Sequence, residues 1–330
     1  LNVTVVEVDE GDSFALRVFF LNFESGGFAG IGFDSEAVLR AGFFGGRFEN
    51  SVLGPIREDL WSYDISSAYP YHTTFLPCLI HGRWEKTELR NMLDHCKAAL
   101  VHYTLKVPHH KLRWAPFPFR DSGGNISYPS VSGGGWVWRD EYLAGEAGWS
   151  NVRFVEAWIY RCDCDCQPFK RIPEYYKARI RIGKEGPGIV IKLGVNSCYG
   201  KLAQSVGNAM FNSWIWAGII TSGCRAQVLD VHNLLSDKRD LLMVATDGVK
   251  VRRRIIPPVP RETGTDGAIN DKGEVTHKPL GGWEEEQDIG GVFFARPGVY
   301  FPLTPSLEAI KKIKGRGVGK RVMYENCSRI

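Results

Sequence analysis

The stretch from Ile191 to Lys201 reads I-K-L-G-V-N-S-C-Y-G-K. Its residues Lys192, Asn196 and Tyr199 are spaced i, i+4, i+7, so on a helix one face would carry an ammonium group, an amide and an aromatic ring. A helix with a solvated polar face would account for the lysine and the asparagine alone. Three further elements of the chain favour a more specific interpretation.

The composition indicates a soluble globular protein. Of 330 residues, 44% are hydrophobic and 24% are charged, and the formal net charge is +4. No run of about 18 apolar residues predicts a membrane span. Eight cysteines without a secretory signal predict reduced thiols and an intracellular protein. Because the chain opens on Leu1 and not on Met, we expect a fragment or an excised domain of a longer protein.

Basic residues are concentrated in two runs. Residues 250–254 are rich in Lys and Arg, and residues 311–321 contain six Lys or Arg and no acid. Such runs are often merely solvated. In a chain with ten Trp, twelve Tyr and eighteen Phe they also fit a nucleic-acid surface, where phosphate contacts and base stacking act together.

Two segments near the start carry candidate functional residues. Residues 43–49 read F-F-G-G-R-F-E, in which Gly45 and Gly46 would let the backbone approach a ligand closely and Arg47 would contact a phosphate. An ordinary glycine turn is the alternative. Residues 60–70 predict an apolar strand that ends at Asp64, with Pro70 stopping any regular continuation. A carboxylate at a strand end is a common active-site position.

The middle of the chain is less informative. We predict a strand pair at 1–23, a helix at 87–100, and strands at 101–107 and 152–160. The segment R-C-D-C-D-C follows the last strand and would place Cys162, Cys164 and Cys166 on one strand face, which is compatible with thiolate ligands for a metal. The sequence shows no fourth ligand at a useful spacing.

Two helices at 173–182 and 187–203 are separated by glycines and preceded by prolines, which predicts a helical hairpin. Arg179 and Lys192 would stand at similar height near its tip and could grip a polyanion such as a triphosphate. A further helix is predicted at 217–235. It is followed by a β-hairpin at 240–251, whose turn, Thr246-Asp247-Gly248, carries a carboxylate. A single strand is predicted at 292–301.

Asp64, the cationic helical hairpin and Asp247 thus occur in a fixed order. Converging carboxylates could hold two Mg²⁺ ions about 3.5–4 Å apart while Arg179 and Lys192 neutralise phosphates, which is the arrangement that phosphoryl transfer requires.

The sequence resembles the B-family DNA polymerases, and most closely their protein-primed branch of bacteriophages, adenoviruses and linear plasmids. D-I-S-S-A-Y-P from Asp64 resembles motif A, D-x-x-S-x-Y-P. K-L-G-V-N-S-C-Y-G from Lys192 matches every fixed position of motif B, K-x-x-x-N-S-x-Y-G. A-T-D-G from Ala245 resembles motif C, D-T-D-S. F-G-G-R from Phe44 and L-G-G-W-E-E-E from Leu280 resemble two further segments of this branch.

The resemblance implies a role for each matching residue. Asp64 and Asp247 would bind the metals, two Mg²⁺ with Mn²⁺ as an alternative, and Asp64, Asp247 and Lys192 would be catalytic. Tyr69 would pack under the deoxyribose and exclude a 2′-hydroxyl. The triphosphate and the nascent base pair would be bound by Arg179, Lys192, Asn196, Tyr199 and Gly200. DNA would be contacted by Gly45, Gly46, Arg47, Tyr300, Lys311, Lys312, Lys314 and Arg316.

The implied partners are template and primer DNA and deoxynucleoside triphosphates, with no membrane. A terminal protein that supplies the priming hydroxyl remains an open alternative to a nucleic-acid primer. If a virus or plasmid encodes the chain, the cytoplasm of the host cell is the expected location.

Three positions depart from the family pattern. Ala245 replaces the first Asp of motif C, Gly248 replaces its Ser, and Gly298 stands where the family's K-x-Y motif has its cation. The second Asp of motif C, the firmer metal ligand in the family, is kept as Asp247. These departures leave open a non-catalytic nucleic-acid-binding relic. Tyr69 disfavours a third reading, a primer-making enzyme that uses ribonucleotides.

The expected fold is α+β with the right-hand architecture of polymerases: an antiparallel-sheet palm, helical-hairpin fingers and an incomplete thumb. We assign 1–42 to a β-rich N-terminal segment, 43–167 to palm with an inserted region, 168–205 to fingers, 206–302 to palm and 303–330 to the start of a thumb. No proofreading exonuclease motif is recognisable before Gly45, so proofreading is not predicted.

Overall fold

A computed structural model describes residues 39–107, 112–183, 186–204, 211–258, 268–269, 275–277, 279–303 and 313–316. The strand pair predicted at 1–23, together with Lys311 and Lys312, lies outside the described residues.

The strands and helices are named here in chain order. The strands are β1 (Phe48–Asn50), β2 (Gly54–Ile56), β3 (Leu60–Ile65), β4 (Arg83–Thr87), β5 (Ala98–Leu105), β6 (Phe119–Arg120), β7 (Ile126–Ser127), β8 (Gly133–Trp138), β9 (Val152–Arg161), β10 (Leu241–Ala245), β11 (Gly248–Val251), β12 (Ala268–Ile269), β13 (Val275–His277), β14 (Trp283–Asp288), β15 (Val292–Arg296), β16 (Val299–Pro302) and β17 (Lys314–Gly315). The α-helices are α1 (Ala68–Thr74), α2 (Arg139–Gly148), α3 (Ile172–Ile182), α4 (Pro187–Leu202) and α5 (Trp214–Leu234). Short 3₁₀ helices span Arg90–His95 and Lys238–Asp240.

A five-stranded antiparallel sheet lies at the centre, in the order β1-β10-β11-β3-β14. Side chains alternate between the faces of a strand, so β3 directs Tyr63 and Ile65 to one face and Leu60 to the other. Tyr63 and Ile65 join the main core, which includes residues of α2, α5, β5 and β9. Leu60 packs with Val292 and Phe294 of a second sheet. Both faces of the central sheet are therefore covered.

The second sheet has four antiparallel strands in the order β17-β16-β15-β2. A third antiparallel sheet, in the order β4-β9-β5-β8, is built from the chain between α1 and α3. The pairs β6–β7 and β12–β13 are small separate ribbons.

Helix α5 is the most buried helix of the described chain. Ser213 caps its start by accepting a hydrogen bond from the backbone N–H of Trp216. Most of its 21 residues are buried, between α2, α1 and the central sheet. Despite this apolar length, none of the described helices is long and apolar enough to cross a membrane.

The coarse fold prediction is confirmed, because the structure combines α-helices with antiparallel sheets. The helical hairpin is present as α3 and α4, which pack together, and the motif C hairpin is present as β10 and β11. The division into palm, fingers and thumb stays a prediction.

Three local predictions were wrong. Pro70 does not stop regular structure but lies in the first turn of α1, where its missing N–H costs no helical hydrogen bond. Residues 87–100 contain a 3₁₀ turn and the start of β5 in place of an α-helix. The single strand predicted at 292–301 is a hairpin of β15 and β16, which turns at Gly298 with a φ of 78°.

Candidate active site

The two motif carboxylates lie at one end of the central sheet. Asp64 pairs across β3–β11 with Gly248, and Gly248 pairs with Ala245 across the β10–β11 hairpin. Directly paired residues share a face, so Asp64, Gly248 and Ala245 form one row on the face that carries the second sheet. Asp247 occupies the hairpin turn beside this row. The sheet register therefore brings motif A and motif C together.

Backbone hydrogen bonds fix the motif C turn against its neighbours. The N–H of Ile65 donates to the carbonyl of Asp247 at 2.9 Å, and the N–H of Thr246 donates to the carbonyl of Arg47 at 2.7 Å. A side chain at Gly248 would start 2.8 Å from the Asp64 carboxylate. Glycine in place of the family's Ser thus gives Asp64 more room.

Positive φ angles mark both carboxylate turns. Ser67 has a φ of 52° and Thr246 a φ of 60°, and they are the two non-glycine residues with positive φ in the part of the chain that the structure describes. Ser67 follows Asp64 by three residues, and Thr246 directly precedes Asp247. Left-handed backbone at such residues costs energy and persists where the surroundings over-determine it, which is typical of functional sites.

Both motif carboxylates have raised pKa values. Asp64 is accessible to solvent, yet nearby protein atoms and then the Asp247 carboxylate raise its pKa to about 7. Burial also raises the pKa of Asp247. Lys314 lowers both pKa values and so lies close enough to act on both groups. Crowded carboxylates with raised pKa values fit a divalent cation, whose charge would relieve their repulsion.

The motif A turn is held by the segment Leu280–Trp283. The N–H of Ser66 donates to the carbonyl of Gly282, and the N–H of Gly281 donates back to the carbonyl of Ser66. Gly281 has a φ of 80°, and a Cβ there would lie 2.3 Å from the ring of Tyr71. This position therefore requires glycine, and the L-G-G-W segment braces motif A.

Motif B contacts motif A through two aromatic rings. Tyr199 of α4 and Tyr69 of α1 have ring centroids 4.4 Å apart. Burial raises the pKa of both hydroxyls. The other α4 residues predicted to bind nucleotide, Lys192, Asn196 and Gly200, are exposed. The helix face predicted from the sequence is thus open to solvent at Lys192 and Asn196 and contacts motif A at Tyr199.

Helix α3 has its own link to motif A. The hydroxyls of Tyr176 and Ser66 lie 3.0 Å apart in a buried hydrogen bond. Tyr176 also packs with Tyr71 and Leu280. Arg179, one turn further along α3, is half-buried. Sequence analysis did not identify Tyr176 or Ser66.

In the glycine segment at 45–46, Gly46 packs against motif C and Gly45 borders open space. A Cβ on Gly46 would lie 2.7 Å from the Thr246 methyl, whereas a Cβ on Gly45 would meet nothing within 4 Å. Arg47 is buried, bonds to Glu49 at 2.9 Å through Nε, and stacks 4.0 Å above the ring of Tyr128. Its guanidinium is not available to a phosphate in this geometry.

A buried ion pair that sequence analysis missed positions this segment. Arg225 of α5 is 2% exposed and donates two hydrogen bonds of 2.7 Å to the carboxylate of Glu141 on α2. It also donates to the carbonyls of Phe44 and Gly45 at 2.6 and 2.7 Å. Burial alone would lower the pKa of Arg225, but Glu141 raises it overall. In the sequence, a buried ion pair could have been inferred only from Arg225 being the single arginine in the largely apolar segment that forms α5.

The basic run at 250–254 is largely neutralised, contrary to the nucleic-acid surface predicted for it. Buried Lys250 pairs with Asp288. The neighbouring pairs are Arg252–Glu58, Arg253–Asp240 and Arg254–Glu285. Each cation already has an acidic partner, so this run offers little free positive charge.

The second basic run is described at residues 313–316 only. Lys314 is exposed and pairs with Tyr300 across β17–β16. Arg316 lies 3.9 Å above the ring of Phe48. A Cβ at Gly298 would lie 3.1 Å from both Arg316 and Phe48. The cation expected at position 298 is therefore sterically disfavoured, and Lys314 places positive charge near the carboxylates instead.

Comparisons with known proteins agree with this geometry. Residues 34–211, slightly more than half of the chain, match the family described as DNA polymerase type B, organellar and viral. A comparison with curated protein sequences gave no match.

Solved structures of phi29 DNA polymerase share the fold. An orthorhombic crystal form has a TM-score of 0.59 at 13% identity, over 88% of this chain and 57% of that chain. A binary complex with primer-template DNA has a TM-score of 0.56 at 13% identity, over 88% and 56%. A ternary complex with primer-template DNA and incoming nucleotide substrates has a TM-score of 0.52 at 14% identity, over 81% and 50%.

The chain spans little more than half the length of these structures. The family match includes motifs A and B and confirms the resemblance to B-family DNA polymerases, and the phi29 structures share the fold. By its sequence match, the chain belongs to the family of type B DNA polymerases of organelles and viruses.

Proposed function

We propose that the chain is the core of a template-directed DNA polymerase, which adds deoxynucleotides to a primer 3′-hydroxyl or to the hydroxyl of a protein primer. The observation that carries the proposal is the position of Asp64 and Asp247 at one sheet end, where Asp64 pairs with Gly248 and the carbonyl of Asp247 accepts a hydrogen bond from the N–H of Ile65, together with the contact between Tyr69 and Tyr199. One small region thus gathers the acidic, sugar-facing and base-facing groups that nucleotide transfer needs.

The proposed subdomains follow the motif order. Palm comprises 43–167, with an inserted region, and 206–302; fingers comprise 168–205; residues 303–330 begin a thumb, and 1–42 precede the palm. The central sheet with both carboxylates supports the palm assignment, and the packed pair α3 and α4 supports the fingers.

Asp64 and Asp247 would hold two Mg²⁺ ions, or Mn²⁺ in their place. Bound there, the metal would supply Lewis-acid activation of the attacking hydroxyl and neutralisation of phosphate charge. The protein residues position the reactants: Arg179 and Lys192 bind the triphosphate, and Tyr69 lies under the sugar and excludes a 2′-hydroxyl.

The remaining roles concern the base pair and DNA. Asn196, Tyr199 and Gly200 line the nascent base pair. Tyr300, Lys311, Lys312, Lys314 and Arg316 contact the primer strand, and the backbone of Gly45 and Gly46 faces the template. Lys314 is the best supported of these DNA contacts, because it is exposed and acts on both carboxylates.

The second candidate is a relic that binds nucleic acid without catalysis. Ala245 supports it, since that row of the sheet lacks the family's additional carboxylate. Two features favour the enzyme. Asp64 and Asp247 keep a strained and perturbed environment, and Lys314 supplies positive charge that Gly298 cannot.

Primer extension on a primed DNA template tests the proposal. We expect incorporation of the complementary deoxynucleotide in Mg²⁺ or Mn²⁺, none in EDTA, and strong discrimination against ribonucleotides. A mismatched primer should not be shortened, because no proofreading is proposed for these 330 residues. Binding of primed DNA without extension in either metal would establish the relic instead.

Replacing Gly46 with alanine should lower the extension rate about 10- to 100-fold. The new methyl group would press on Thr246, which cannot retreat easily because its backbone is held by Arg47 and has a left-handed conformation. Asp247 would move with it. The matched control is Gly45→Ala, whose methyl group meets no protein atom within 4 Å and so should leave motif C in place; any loss of activity there would come from the template contact alone and should be smaller. Equal activities of the two variants would contradict the proposed coupling.

A further inference from the structure

A cluster of metal-binding side chains lies away from the carboxylates. Its members, called here the thiolate cluster, are Cys78, His81, Cys164 and Cys166. One ligand atom from each residue lies within 4.8 Å of the other three. Two of these ligands, Cys78 and His81, were not identified from the sequence and come from the segment that follows α1.

Sheet register explains why these distant segments meet. Arg83, at the start of β4, pairs with Arg161, at the end of β9. The chain that enters β4 and the chain that leaves β9 are thus at the same end of the ladder. Gly82 permits the close approach, because a Cβ there would lie 2.3 Å from the Arg161 carbonyl oxygen. A C-x-x-H segment and a C-x-C segment are thereby placed side by side.

The distances suit a single tetrahedral ion. With zinc–sulfur bonds of about 2.3 Å and zinc–nitrogen bonds of about 2.0 Å, a tetrahedral site needs sulfur–nitrogen separations of about 3.5 Å. His81 Nδ1 lies 3.4 Å from Cys78 Sγ and 3.5 Å from Cys166 Sγ. A ring nitrogen at nearly equal distance from two sulfurs is the arrangement expected around one ion that binds all three atoms.

A backbone donor is directed at the sulfur of Cys78. The N–H of Ile80 donates to Cys78 Sγ at 3.5 Å, and Cys78 itself is buried. A hydrogen bond to the sulfur of a metal-binding residue fixes the orientation of that ligand. This interaction is independent of the clustering of the four side chains.

We propose that the thiolate cluster binds one Zn²⁺ ion in a closed structural site with three sulfur ligands and one nitrogen ligand. Thiolate and imidazole ligands favour zinc over Mg²⁺, a hard cation that prefers oxygen ligands. Four protein ligands leave no open position for a substrate. The site therefore differs in metal, ligands and role from Asp64 and Asp247.

The ion would join two parts of the fold that bear on the active site. Cys78 follows α1, which carries Tyr69, by four residues from Thr74. Cys166 precedes the start of α3 at Ile172 by six residues. Zinc would thus tie the end of the motif A helix to the base of the α3–α4 pair.

Neighbouring Cys162 is the main competitor for a place in the ligand set. Its sulfur lies 3.1 Å from Cys164 Sγ, too far for a disulfide bond of about 2.05 Å. All cysteines that the structure describes are free thiols. Cys162 is also more buried than Cys164 and Cys166, and it is not part of the group of four.

The test is metal analysis of the full chain, purified without chelators and without a metal-affinity tag. We expect one zinc per chain by mass spectrometry, and a sulfur-to-metal charge-transfer band when Co²⁺ replaces zinc. Cys166→Ser, at the most exposed thiol, and His81→Ala should weaken zinc binding at least about 100-fold against a chromophoric chelator. Cys96→Ser and Cys162→Ser are matched controls that should retain zinc.

Thermal unfolding gives a second readout that requires no polymerase activity. Zinc removal should lower the melting temperature of wild type by several degrees and leave that of Cys166→Ser nearly unchanged. Wild-type protein that holds no zinc and gives no cobalt–thiolate band would overturn the proposal. Loss of zinc in Cys162→Ser with retention in Cys166→Ser would overturn the ligand set.

Discussion

Replacing Arg225 with methionine should lower the melting temperature by about 6–15 °C, which corresponds to a loss of about 3–5 kcal/mol. The substitution leaves the Glu141 carboxylate fully buried without its partner. It also removes the donors to the carbonyls of Phe44 and Gly45. Uncompensated buried charge costs far more than a lost surface contact, so this variant should be among the least stable single substitutions.

The control is an exposed ion pair of similar chemistry. Arg254 pairs with Glu285 at 2.9 Å, with its side chain 67% exposed. Arg254→Met should therefore lower the melting temperature far less than Arg225→Met does. Circular dichroism melts of both variants provide the measurement. The double variant Arg225→Met with Glu141→Leu should recover part of the loss, since the stranded charge is gone while the two carbonyls remain without donors. Equal melting temperatures for the two single variants would contradict this account.

The Arg225 pair also shows why part of the site could not be predicted from sequence. Motif spacing predicted Asp64, Asp247 and Lys192 as site residues, because the proposed nucleotide transfer would restrict which residue types can occupy these positions. It could not reveal that Arg225 supports the loop at Gly45, since the two positions lie 180 residues apart and only the tertiary fold joins them. Local patterns do not encode such long-range partners.

Helices α3, α4 and α5 were predictable for a physical reason. Apolar periodicity, and the proline, glycine and serine residues that begin or end a helix, determine local structure within one or two turns. The segment at 87–100 has a comparable apolar content, but it forms only a 3₁₀ turn at Arg90–His95, and from Ala98 onward cross-strand pairing of β5 with β8 and β9 overrides helix formation. The sequence predicted only part of the thiolate cluster. The C-x-C segment was recognised, but the C-x-x-H segment lies about 80 residues earlier and is joined to it only by the tertiary fold.

Replacing Asp64 with asparagine should abolish activity and at the same time stabilise the metal-free protein. Loss of a metal-binding carboxylate should reduce primer extension at least about 10³-fold, and Asp247→Asn should behave alike. In EDTA, however, Asp64→Asn should melt about 2–5 °C above wild type near pH 8. The reason is that folding holds the Asp64 carboxylate beside Asp247, where burial and repulsion raise its pKa to about 7.

The sign of the pH dependence follows from that shift. The folded protein keeps the Asp64 proton up to about pH 7, whereas the unfolded chain releases it near pH 4. The stability contributed by the bound proton is therefore complete below about pH 4 and is lost as the pH rises through 7. Because the carboxylate is accessible to solvent, screening limits the loss to about 1–2 kcal/mol. The stability advantage of Asp64→Asn should accordingly be small near pH 5 and largest near pH 8.

A charge-matched control separates this effect from general removal of negative charge. Glu284 is exposed and lies opposite Asp64 on β14, where it contributes less to the raised pKa than Asp247 does. Glu284→Gln should therefore give a much smaller gain in melting temperature and keep most activity.

Addition of Mg²⁺ should raise the melting temperature of wild type and of Glu284→Gln but not that of Asp64→Asn. The bound ion offsets the repulsion between the two carboxylates only where both are present to bind it. An Asp64→Asn variant that is less stable than wild type in EDTA at pH 8 would show that the carboxylates do not repel each other across β3 and the hairpin turn. An active site of this kind is built by keeping like charges together at a cost to folding, and the same pair of variants measures both the cost and the function that it serves.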